Sequence, residues 1–198
     1  MSDVITSPRV IILASGTGSL FRSLLGSPVG GLIVALISDV SDCGAVSIAR
    51  EAGVPTVVVP LSDYPSRSDW DKALLDSVQE WKPDLLVSAG FMRILSENFV
   101  QSFPNQILNS HPALLPLFPG AHAVRDAIAA GVTTTGCTIH FVDAGVDTGP
   151  IVAQKSLEVH PGESEDHLHE RIKVLERELL PHTIITVLKE RGLLSDLP

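Results

Sequence analysis

Short apolar runs alternate with helical segments along most of this chain, and no other feature restricts its fold as strongly. The runs are rich in Val, Ile, Leu and Ala, as buried strands are, and they lie at 9–14, 32–37, 56–59, 84–88 and 107–109. Segments that predict helices follow them, at 20–25, 45–52, 66–81 and 122–130. This order predicts an α/β fold with a mostly parallel, twisted sheet and helices on both faces.

The last third of the chain departs from that alternation. The segments 134–142 and 151–159 alternate apolar and polar residues and predict two strands paired antiparallel. A long helix is predicted after them, from the N-cap Ser164 to Lys189. Its apolar face consists of Leu168, Ile172, Leu175 and Leu179. We expect Pro181 to kink this helix or to divide it in two.

Length and charge limit the classes of function. With 198 residues, 44% of them hydrophobic, we expect a single domain over 1–198 with a full core. The net charge is −9 and the 14 basic residues are dispersed, whereas a general nucleic-acid binder carries a basic face or tail. We therefore expect small-molecule substrates and no nucleic acid, with any anionic ligand held locally by backbone amides or a few cations.

The sequence contains no signal for export or membrane insertion. Its N-terminus lacks a basic region followed by a long apolar core, and no apolar run is long enough to span a membrane. Cys43 and Cys137 fit no CxxC or zinc spacing, which indicates reduced thiols. We expect a cytoplasmic protein without a membrane partner, as a monomer or homodimer.

One constellation of polar residues predicts chemistry. Asn109 and His111 stand two residues apart after an apolar run, so both side chains point to the same side of an extended backbone. Pro112 favours that extended backbone at His111. The turn-rich segment 143–150 supplies a carboxylate, Asp147. Acyl or formyl transfer to an amine requires three groups of this kind. They are an amide that donates to the oxyanion, an imidazole that carries a proton, and a carboxylate that tunes the pKa of the imidazole.

Two further segments follow predicted strands, where open α/β sheets bind their ligands. Gly16-Thr17-Gly18-Ser19 opens a helix, so its backbone amides are suited to phosphate, although a tight structural turn is the alternative. The segment 91–95 is mostly apolar with one cation, Arg93. It fits either a pocket for a flat aromatic ligand or ordinary core packing.

Two other uses of these residues have little support. A metal site would combine His111, His122, His140 and Asp147, but the chain has no HExxH or HxxEH spacing, so we expect no metal. A serine hydrolase would require a GxSxG elbow, which is also missing. His140 falls on a predicted strand and ranks below His111 as the catalytic histidine.

Four segments resemble one family. They are ASGTGS at 14–19, AGFMRIL at 89–95, LNSHPALLPLFPGAHAVRDAI at 108–128 and GCTIHFVDAGVDTGPIVAQ at 136–154. All four are similar to the folate-dependent formyltransferases, and the SGxGS loop narrows the resemblance to the phosphoribosylglycinamide formyltransferases. The resemblance covers nearly the whole chain. It implies a Rossmann-like formyltransferase fold and transfer of a formyl group from 10-formyltetrahydrofolate to the amine of glycinamide ribonucleotide, in purine synthesis.

The resemblance also implies roles for residues of this chain. The catalytic set is Asn109, His111 and Asp147. The set that holds the ribosyl phosphate is Gly16, Thr17, Gly18, Ser19, Leu20, Lys173 and Glu176. The folate set is Arg67, Met92, Arg93, Ile94, Leu95, Asn109, Asp143, Ala144, Gly145, Val146 and Asp147. The family's loop often reads SGNGSN, and here Thr17 and Leu20 replace both asparagines. The backbone amides can still bind phosphate, but position 20 has no polar side chain to contribute.

The implied mechanism is direct transfer, without a covalent enzyme intermediate or a metal. The amine attacks the formyl carbon, and Asn109 and protonated His111 stabilise the oxyanion of the tetrahedral intermediate. We expect Asp147 to raise the pKa of His111. The proton then passes from the amine to the folate nitrogen through His111 or through an ordered water, and the sequence leaves both routes open.

Other functions stay open as alternatives. A formyltransferase acting on methionyl-tRNA is expected to have an RNA-binding domain and a basic surface, and a formyltetrahydrofolate hydrolase usually has an N-terminal regulatory domain. A dinucleotide-dependent reductase belongs to a different class. Its glycine fingerprint is incomplete because Phe21 replaces the third glycine, and its only ribose-binding candidates are Asp39 and Asp42. A ligand-binding module without activity is the least specific reading, and the intact trio argues against it.

Overall fold

The structure is a computed structural model that describes residues 7–195, and they form two compact units. The first unit contains the described residues up to Ile94 and those from Pro181 onward, and the second is Leu95–Leu180. The single domain expected from chain length stays a prediction. The prediction of no signal peptide rests partly on residues 1–6, which lie outside the described residues.

The first unit contains four parallel strands. They are β1 (Val10–Leu13), β2 (Ile33–Ser38), β3 (Thr56–Val58) and β4 (Leu85–Ser88), in the order β3-β2-β1-β4. Every residue of β1 and β4 is buried. Strands covered on both faces have no solvent side to alternate with, which explains the continuous apolar runs in the sequence.

Three helices and two short turns of 3-10 helix accompany these strands. The helices are α1 (Ser19–Leu25), α2 (Gly44–Glu51) and α3 (Arg67–Gln79), and the 3-10 turns are Gly30–Leu32 and Leu61–Asp63. Ser66 begins α3 because its hydroxyl oxygen accepts the N–H of Asp69. The sequence predicts all three helices and neither 3-10 turn, since a single such turn leaves no periodicity to read.

The second unit contains three antiparallel strands and two short helices. Its elements are α4 (Glu97–Ser102), β5 (Ile107–His111), α5 (Ala123–Ala129), β6 (Thr134–Phe141) and β7 (Ile151–Glu158), and the strand order is β5-β6-β7. The predicted antiparallel pair of β6 and β7 is confirmed. Helix α4 was not predicted, although Ser96 caps it by accepting the N–H of Phe99.

The last helix, α6 (Glu165–Glu190), follows its predicted N-cap, since the Ser164 hydroxyl accepts the N–H of His167 at 3.3 Å. Its predicted apolar face is confirmed, because all four of its residues pack in one core cluster with Val124 and Cys137. Pro181 lies inside one continuous helix, so the predicted division is wrong. A proline removes a single N–H donor, and the buried neighbours Leu180 and Ile184 stabilise the helix around it. The predicted α/β class, with parallel strands, a later antiparallel pair and a long last helix, is confirmed.

Candidate active site

His111 is the last residue of β5, and only 4% of it is exposed. An acceptor lies on each side of its ring: Nε2 is 2.8 Å from the Phe118 carbonyl oxygen, and Nδ1 is 3.3 Å from Oδ2 of Asp147. Both neighbours can only accept, so the neutral ring donates to one of them, and the shorter contact, with the Phe118 carbonyl, favours the proton on Nε2. With the proton there, Nδ1 donates to Asp147 only when the ring becomes an imidazolium. The structure therefore brings together the His111 and Asp147 side chains that the sequence selects.

Asp147 reaches the ring from a strained turn. Its φ of 54° lies in the left-handed region, which costs a residue other than glycine roughly 1 kcal/mol or more. The N–H of Gly120 donates to Oδ2 at 2.7 Å, and Nε2 of His140 lies 3.4 Å from Oδ1. The contact with His140, followed by those with Gly120 and His111, lowers the pKa of Asp147 against the opposing effect of burial. Asp147 is an anion whose two oxygens face two titratable rings.

His140 is the residue to which sequence reasoning gave too little weight. It stands opposite Asn109 in the β5–β6 pair, and Asn109 Nδ2 is 3.2 Å from His140 Nε2. Nδ1 of His140 lies 2.9 Å from the Phe141 carbonyl oxygen. A ring with its proton only on Nδ1 donates there, accepts the Asn109 N–H at Nε2 and orients the Asn109 amide, whereas a ring with a proton on Nε2 donates to Asp147 instead. The sequence places His140 on a strand. The register that brings it to Asn109 depends on long-range pairing, which a local pattern does not contain.

The pKa of His111 is lowered from its ordinary value, so the overall shift is opposite to the effect expected of Asp147. Burial of the ring is the largest cause, because desolvation disfavours the charged form. The Asp147 carboxylate and the Phe118 carbonyl act in the opposite direction, and the charge of His140 adds to the lowering. The Asp147 carboxylate thus raises the pKa of His111, as predicted, but burial lowers that pKa by more. In this site the histidine ring tends to be neutral.

Ser110, between the two predicted catalytic side chains, contacts helix α6. Its hydroxyl donates to Oε1 of Glu176 at 2.6 Å. Burial raises the pKa of Glu176, although Ser110, Lys173 and Arg177 favour its charged form. Lys173 itself pairs with the exposed Glu170 at 2.7 Å. Of the two α6 residues in the predicted phosphate set, Glu176 contacts the strand that carries Asn109 and His111, and Lys173 is engaged along its own helix.

The predicted phosphate loop lies in the first unit, between β1 and α1. Gly18 has a φ of 75°, and a Cβ at this position would lie 2.6 Å from Cα of Ala45, so the loop requires glycine there. The N–H of Ala45 donates to the carbonyl of Gly16 at 3.1 Å, whereas a Cβ on Gly16 would meet nothing within 4 Å. Within residues 7–195 no side chain caps α1. The loop is packed against α2 on one side and open at Gly16.

Asp39, the residue after β2, is held by two neighbours, and its side chain is only 1% exposed. The Ser15 hydroxyl donates to Oδ1 at 2.5 Å, and Arg93 Nε donates to Oδ2 at 2.7 Å. The same Ser15 oxygen accepts the N–H of Met92 at 2.9 Å. A dinucleotide reductase would use Asp39 to bind ribose, but both of its carboxylate oxygens already accept hydrogen bonds within the protein. This arrangement argues against the reductase, for which the exposed Asp42 is the other candidate.

The segment Met92–Ile94 has no regular secondary structure, yet each of its residues is held. Ser15 and Asp39 bind the first two, and the Ile94 carbonyl accepts from Nη2 of Arg67, which also pairs with a neighbouring carboxylate on α3. Met92 and Ile94 are 74% and 73% exposed, so ordinary core packing does not describe them. A fixed backbone with exposed apolar side chains is suited to contact a flat ligand.

The loop Asp143–Asp147 of the predicted folate set is also fixed from within. Oδ1 of Asp143 accepts the N–H of Gly145 at 3.0 Å and the hydroxyl of Thr148 at 2.7 Å. Val146 at its tip is 51% exposed, and Ala144 is exposed as well. Leu95, another member of that set, is half-buried at the start of the second unit.

The described part of the chain offers no support for a metal site, a membrane-spanning helix or a reactive thiol at Cys137. Among residues 7–195 no three His, Cys, Asp or Glu side chains are grouped so as to hold a metal ion, and His122 is the exposed N-cap of α5. None of the described helices is both long and apolar enough to cross a membrane. Burial raises the pKa of Cys137 to about 12, which removes it as a thiolate nucleophile at neutral pH.

Comparisons with known proteins agree with one another. A profile of the family described as formyl transferase matches residues 8–184. The phosphoribosylglycinamide formyltransferase of Mycobacterium tuberculosis (strain CDC 1551 / Oshkosh) is 55% identical over 175 residues, which are 87% of this chain and 81% of that protein. The trifunctional purine biosynthetic protein adenosine-3 of Homo sapiens is 40% identical over 177 residues, which are 87% of this chain and 18% of that protein. The crystal structure of glycinamide ribonucleotide transformylase 1 from Symbiobacterium toebii has a TM-score of 0.86 at 39% identity and covers 90% of this chain and 86% of that one.

Proposed function

The chain belongs to the phosphoribosylglycinamide formyltransferases of the formyl transferase family, and from this we propose that it transfers a formyl group from 10-formyltetrahydrofolate to the amine of glycinamide ribonucleotide. The observation that supports this most directly is the cluster of Asn109, His111 and Asp147 in the second unit, in which Nε2 of His140 lies 3.2 Å from Asn109 Nδ2 and 3.4 Å from Asp147 Oδ1. An amide donor, a buried imidazole and a carboxylate are the groups that such a transfer requires.

In the proposed reaction the amine attacks the formyl carbon, and the formyl oxygen becomes an oxyanion. Nδ2 of Asn109 has two N–H groups, of which one is directed to His140 and the other is available to the oxyanion. Loss of one such donor typically lowers kcat by about a hundredfold to a thousandfold. His140 supports this step by keeping the amide nitrogen of Asn109 in place.

The lowered pKa of His111 supports a role in which the ring first accepts a proton as a base and then donates it as an acid. The neutral ring has its proton on Nε2, so Nδ1 is the position that receives the proton of the attacking amine, directly or through an ordered water. The imidazolium then forms 3.3 Å from Asp147, which stabilises it. As the tetrahedral intermediate breaks down, the ring gives this proton to the departing folate nitrogen. The ring therefore enters the reaction neutral, and the imidazolium exists only during it.

We propose that the loop Gly16–Leu20 binds the phosphate of glycinamide ribonucleotide through its backbone amides. The open space at Gly16 supports this, and so does the tight packing at Gly18 that fixes the loop without side-chain help. Lys173 and Glu176 are proposed to bind the ribosyl phosphate as well. For Glu176, the buried carboxyl group is suited to hydrogen bonds with ribose hydroxyls.

We propose that the formyl donor binds against exposed apolar side chains on fixed backbone. Met92 and Ile94 supply such a surface, and Val146 supplies another at the tip of the loop Asp143–Asp147. The proposed folate set also contains Arg67, Arg93 and Leu95. For the two arginines, the hydrogen bonds to Ile94 and Asp39 support a role in holding the segment that carries this surface.

The direct test combines the purified full chain with glycinamide ribonucleotide and 10-formyltetrahydrofolate and follows the formylated product. Formylatable methionyl-tRNA is offered in parallel, with the same donor, at low and at moderate salt. We expect the ribonucleotide to react faster at both, because a net charge of −9 disfavours a polyanionic RNA, most of all where screening is weak. Faster formylation of the tRNA at either salt would overturn the proposal, and release of formate without any acceptor would indicate a hydrolase.

A further inference from the structure

A row of three side chains crosses the antiparallel strands of the second unit. His111 on β5 is paired with Thr138 on β6, and Thr138 is paired with Gln154 on β7. Residues directly opposite each other in antiparallel strands have neighbouring side chains on the same face. The row therefore runs from the buried ring of His111 to an exposed glutamine. The mechanism proposed above uses neither Thr138 nor Gln154.

Thr138 and Gln154 hold the segment Pro112–Gly120, which we call the strap. The Thr138 hydroxyl donates to the Ala113 carbonyl at 2.7 Å and accepts the N–H of Leu115 at 3.0 Å. Nε2 of Gln154 donates to the Leu115 carbonyl and to the Thr138 hydroxyl, both at 2.9 Å. A hydroxyl that donates once and accepts twice has no capacity left. These two side chains, which we call the clamp, thus bind three backbone groups of the strap.

The far end of the strap contacts both partners of the proposed catalytic pair. The Phe118 carbonyl faces Nε2 of His111 at 2.8 Å, and the N–H of Gly120 donates to Asp147 at 2.7 Å. Phe118 has a φ of 53°, a left-handed conformation that a residue other than glycine keeps only where its surroundings enforce it. The direction of the Phe118 carbonyl therefore depends on how firmly the rest of the strap is held.

We propose that Gln154, acting through Thr138 and the strap, is a positioning residue that keeps the proton of neutral His111 on Nε2. Release of the strap would allow the Phe118 carbonyl to turn away from the ring. The ring would then gain more by donating from Nδ1 to Asp147, and Nδ1 would no longer be free to accept a proton. The importance of this tautomer rests on the function proposed for His111, whereas the geometry of the clamp does not.

The test uses Gln154→Glu, which keeps the shape of the side chain. A carboxylate can only accept, so it cannot donate to the Leu115 carbonyl. Nitrogen-15 NMR of the His111 ring, recorded without substrates, reports which nitrogen carries the proton. We expect the Nε2 tautomer in the wild type and a clear population of the Nδ1 tautomer in Gln154→Glu. We also expect kcat to fall by about tenfold, the scale of one or two hydrogen bonds, with KM changed by less than about twofold.

The chain offers matched controls for this test. Ser156→Ala alters the next residue of β7 on the same face, outside the clamp, and should leave tautomer and kcat unchanged. Thr138→Ser keeps the hydroxyl and should keep the Nε2 tautomer, whereas Thr138→Val should lose it. An unchanged tautomer in both Gln154→Glu and Thr138→Val would overturn the inference, even if kcat fell. A wild type without formyl transfer would contradict the proposed function instead, and the tautomer would still decide the role of the clamp.

Discussion

Two carboxylates, the buried Asp39 and the half-buried Asp147, lie one in each compact unit and differ in the partners that surround them. Asp39 follows β2 and is bound by the Arg93 guanidinium and the Ser15 hydroxyl. A guanidinium keeps its charge at every pH at which a protein works. Asp147 lies in the turn between β6 and β7 and faces the rings of two histidines. Imidazoles gain or lose their charge between about pH 5 and pH 8.

This difference separates positioning from proton transfer. The permanent charge of Arg93 opposite Asp39 makes an ion pair that holds the segment Met92–Ile94. The titratable rings opposite Asp147 can share a proton with their surroundings, which a base in a formyl transfer must do. Asp39 is the more deeply buried of the two, so depth of burial does not mark the carboxylate of the proposed catalytic site. The chemistry of the partner is the feature that distinguishes it in this proposal.

The largest effect is expected at the carboxylate with titratable partners. His111→Ala and Asp147→Asn should each lower kcat by about a hundredfold or more, the scale of losing a general base or its charged partner. His140→Asn should lower kcat less, by about tenfold, because His140 orients Asn109 and does not take the proton in this account. Steady-state kinetics measures all three, with circular dichroism as the check on folding.

Two outcomes would contradict the roles assigned to His111 and Asp147. Near-wild-type kcat in both His111→Ala and Asp147→Asn would remove them from the chemistry. A greater loss in His140→Asn than in His111→Ala would make His140 the proton carrier.

A smaller and different effect is expected at Asp39, whose partner Arg93 carries a permanent charge. Asp39→Asn removes the ion pair with Arg93, so the KM for the formyl donor should rise by about tenfold, the scale of a hydrogen bond to a charged group. Its kcat should stay within about threefold of the wild type. Asp42→Asn, an exposed neighbour, is the matched control and should change neither constant. A loss of kcat as large as that of Asp147→Asn would abolish the distinction between the two carboxylates.

The smallest effect concerns a third carboxyl group, Glu176, whose pKa is raised by burial. A raised acid pKa stabilises the folded protein below the unfolded value near 4.5, and that contribution is lost as pH rises through the folded value. Glu176→Gln keeps an acceptor for Ser110 and avoids the buried charge. It should raise the free energy of unfolding by roughly 1 kcal/mol at pH 8 and by less at pH 4. Urea melts at both values measure it.

The control for this prediction is Glu170→Gln, on the exposed side of the same helix, which should change stability little at either pH. A variant Glu176→Gln that is less stable than the wild type at pH 8 would mean that the charged form is the favoured one in the folded protein.

Elements of the fold with a strong local pattern could be predicted from the sequence. The buried runs of β1, β2 and β4 and the apolar face of α6 are such patterns, and the structure confirms them. Helix α4 was missed because six residues give too few turns for a periodic signal. The effect of Pro181 was misjudged because the packing of its neighbours, which outweighs one lost hydrogen bond, is a tertiary property.

The candidate site divides in the same way. The two-residue spacing of Asn109 and His111 is local, and the sequence predicts from it that they share a side of β5. The contacts of His140 and Gln154 depend on the register of β6 and β7, which is set by pairing across the sheet. The net pKa of His111 depends on how far its ring is buried. Sequence reasoning could assign the direction of the Asp147 effect but not the larger effect of burial.

The central claim is that His111 works as a buried, neutral base whose proton affinity Asp147 increases. NMR titration of the His111 ring in the wild type and in Asp147→Asn tests it most directly. The wild-type midpoint should lie below the ordinary value of 6.5, and that of Asp147→Asn should lie lower still, because removal of the carboxylate leaves burial unopposed. A wild-type midpoint above 6.5, or a midpoint in Asp147→Asn that is equal to or higher than that of the wild type, would contradict the claim.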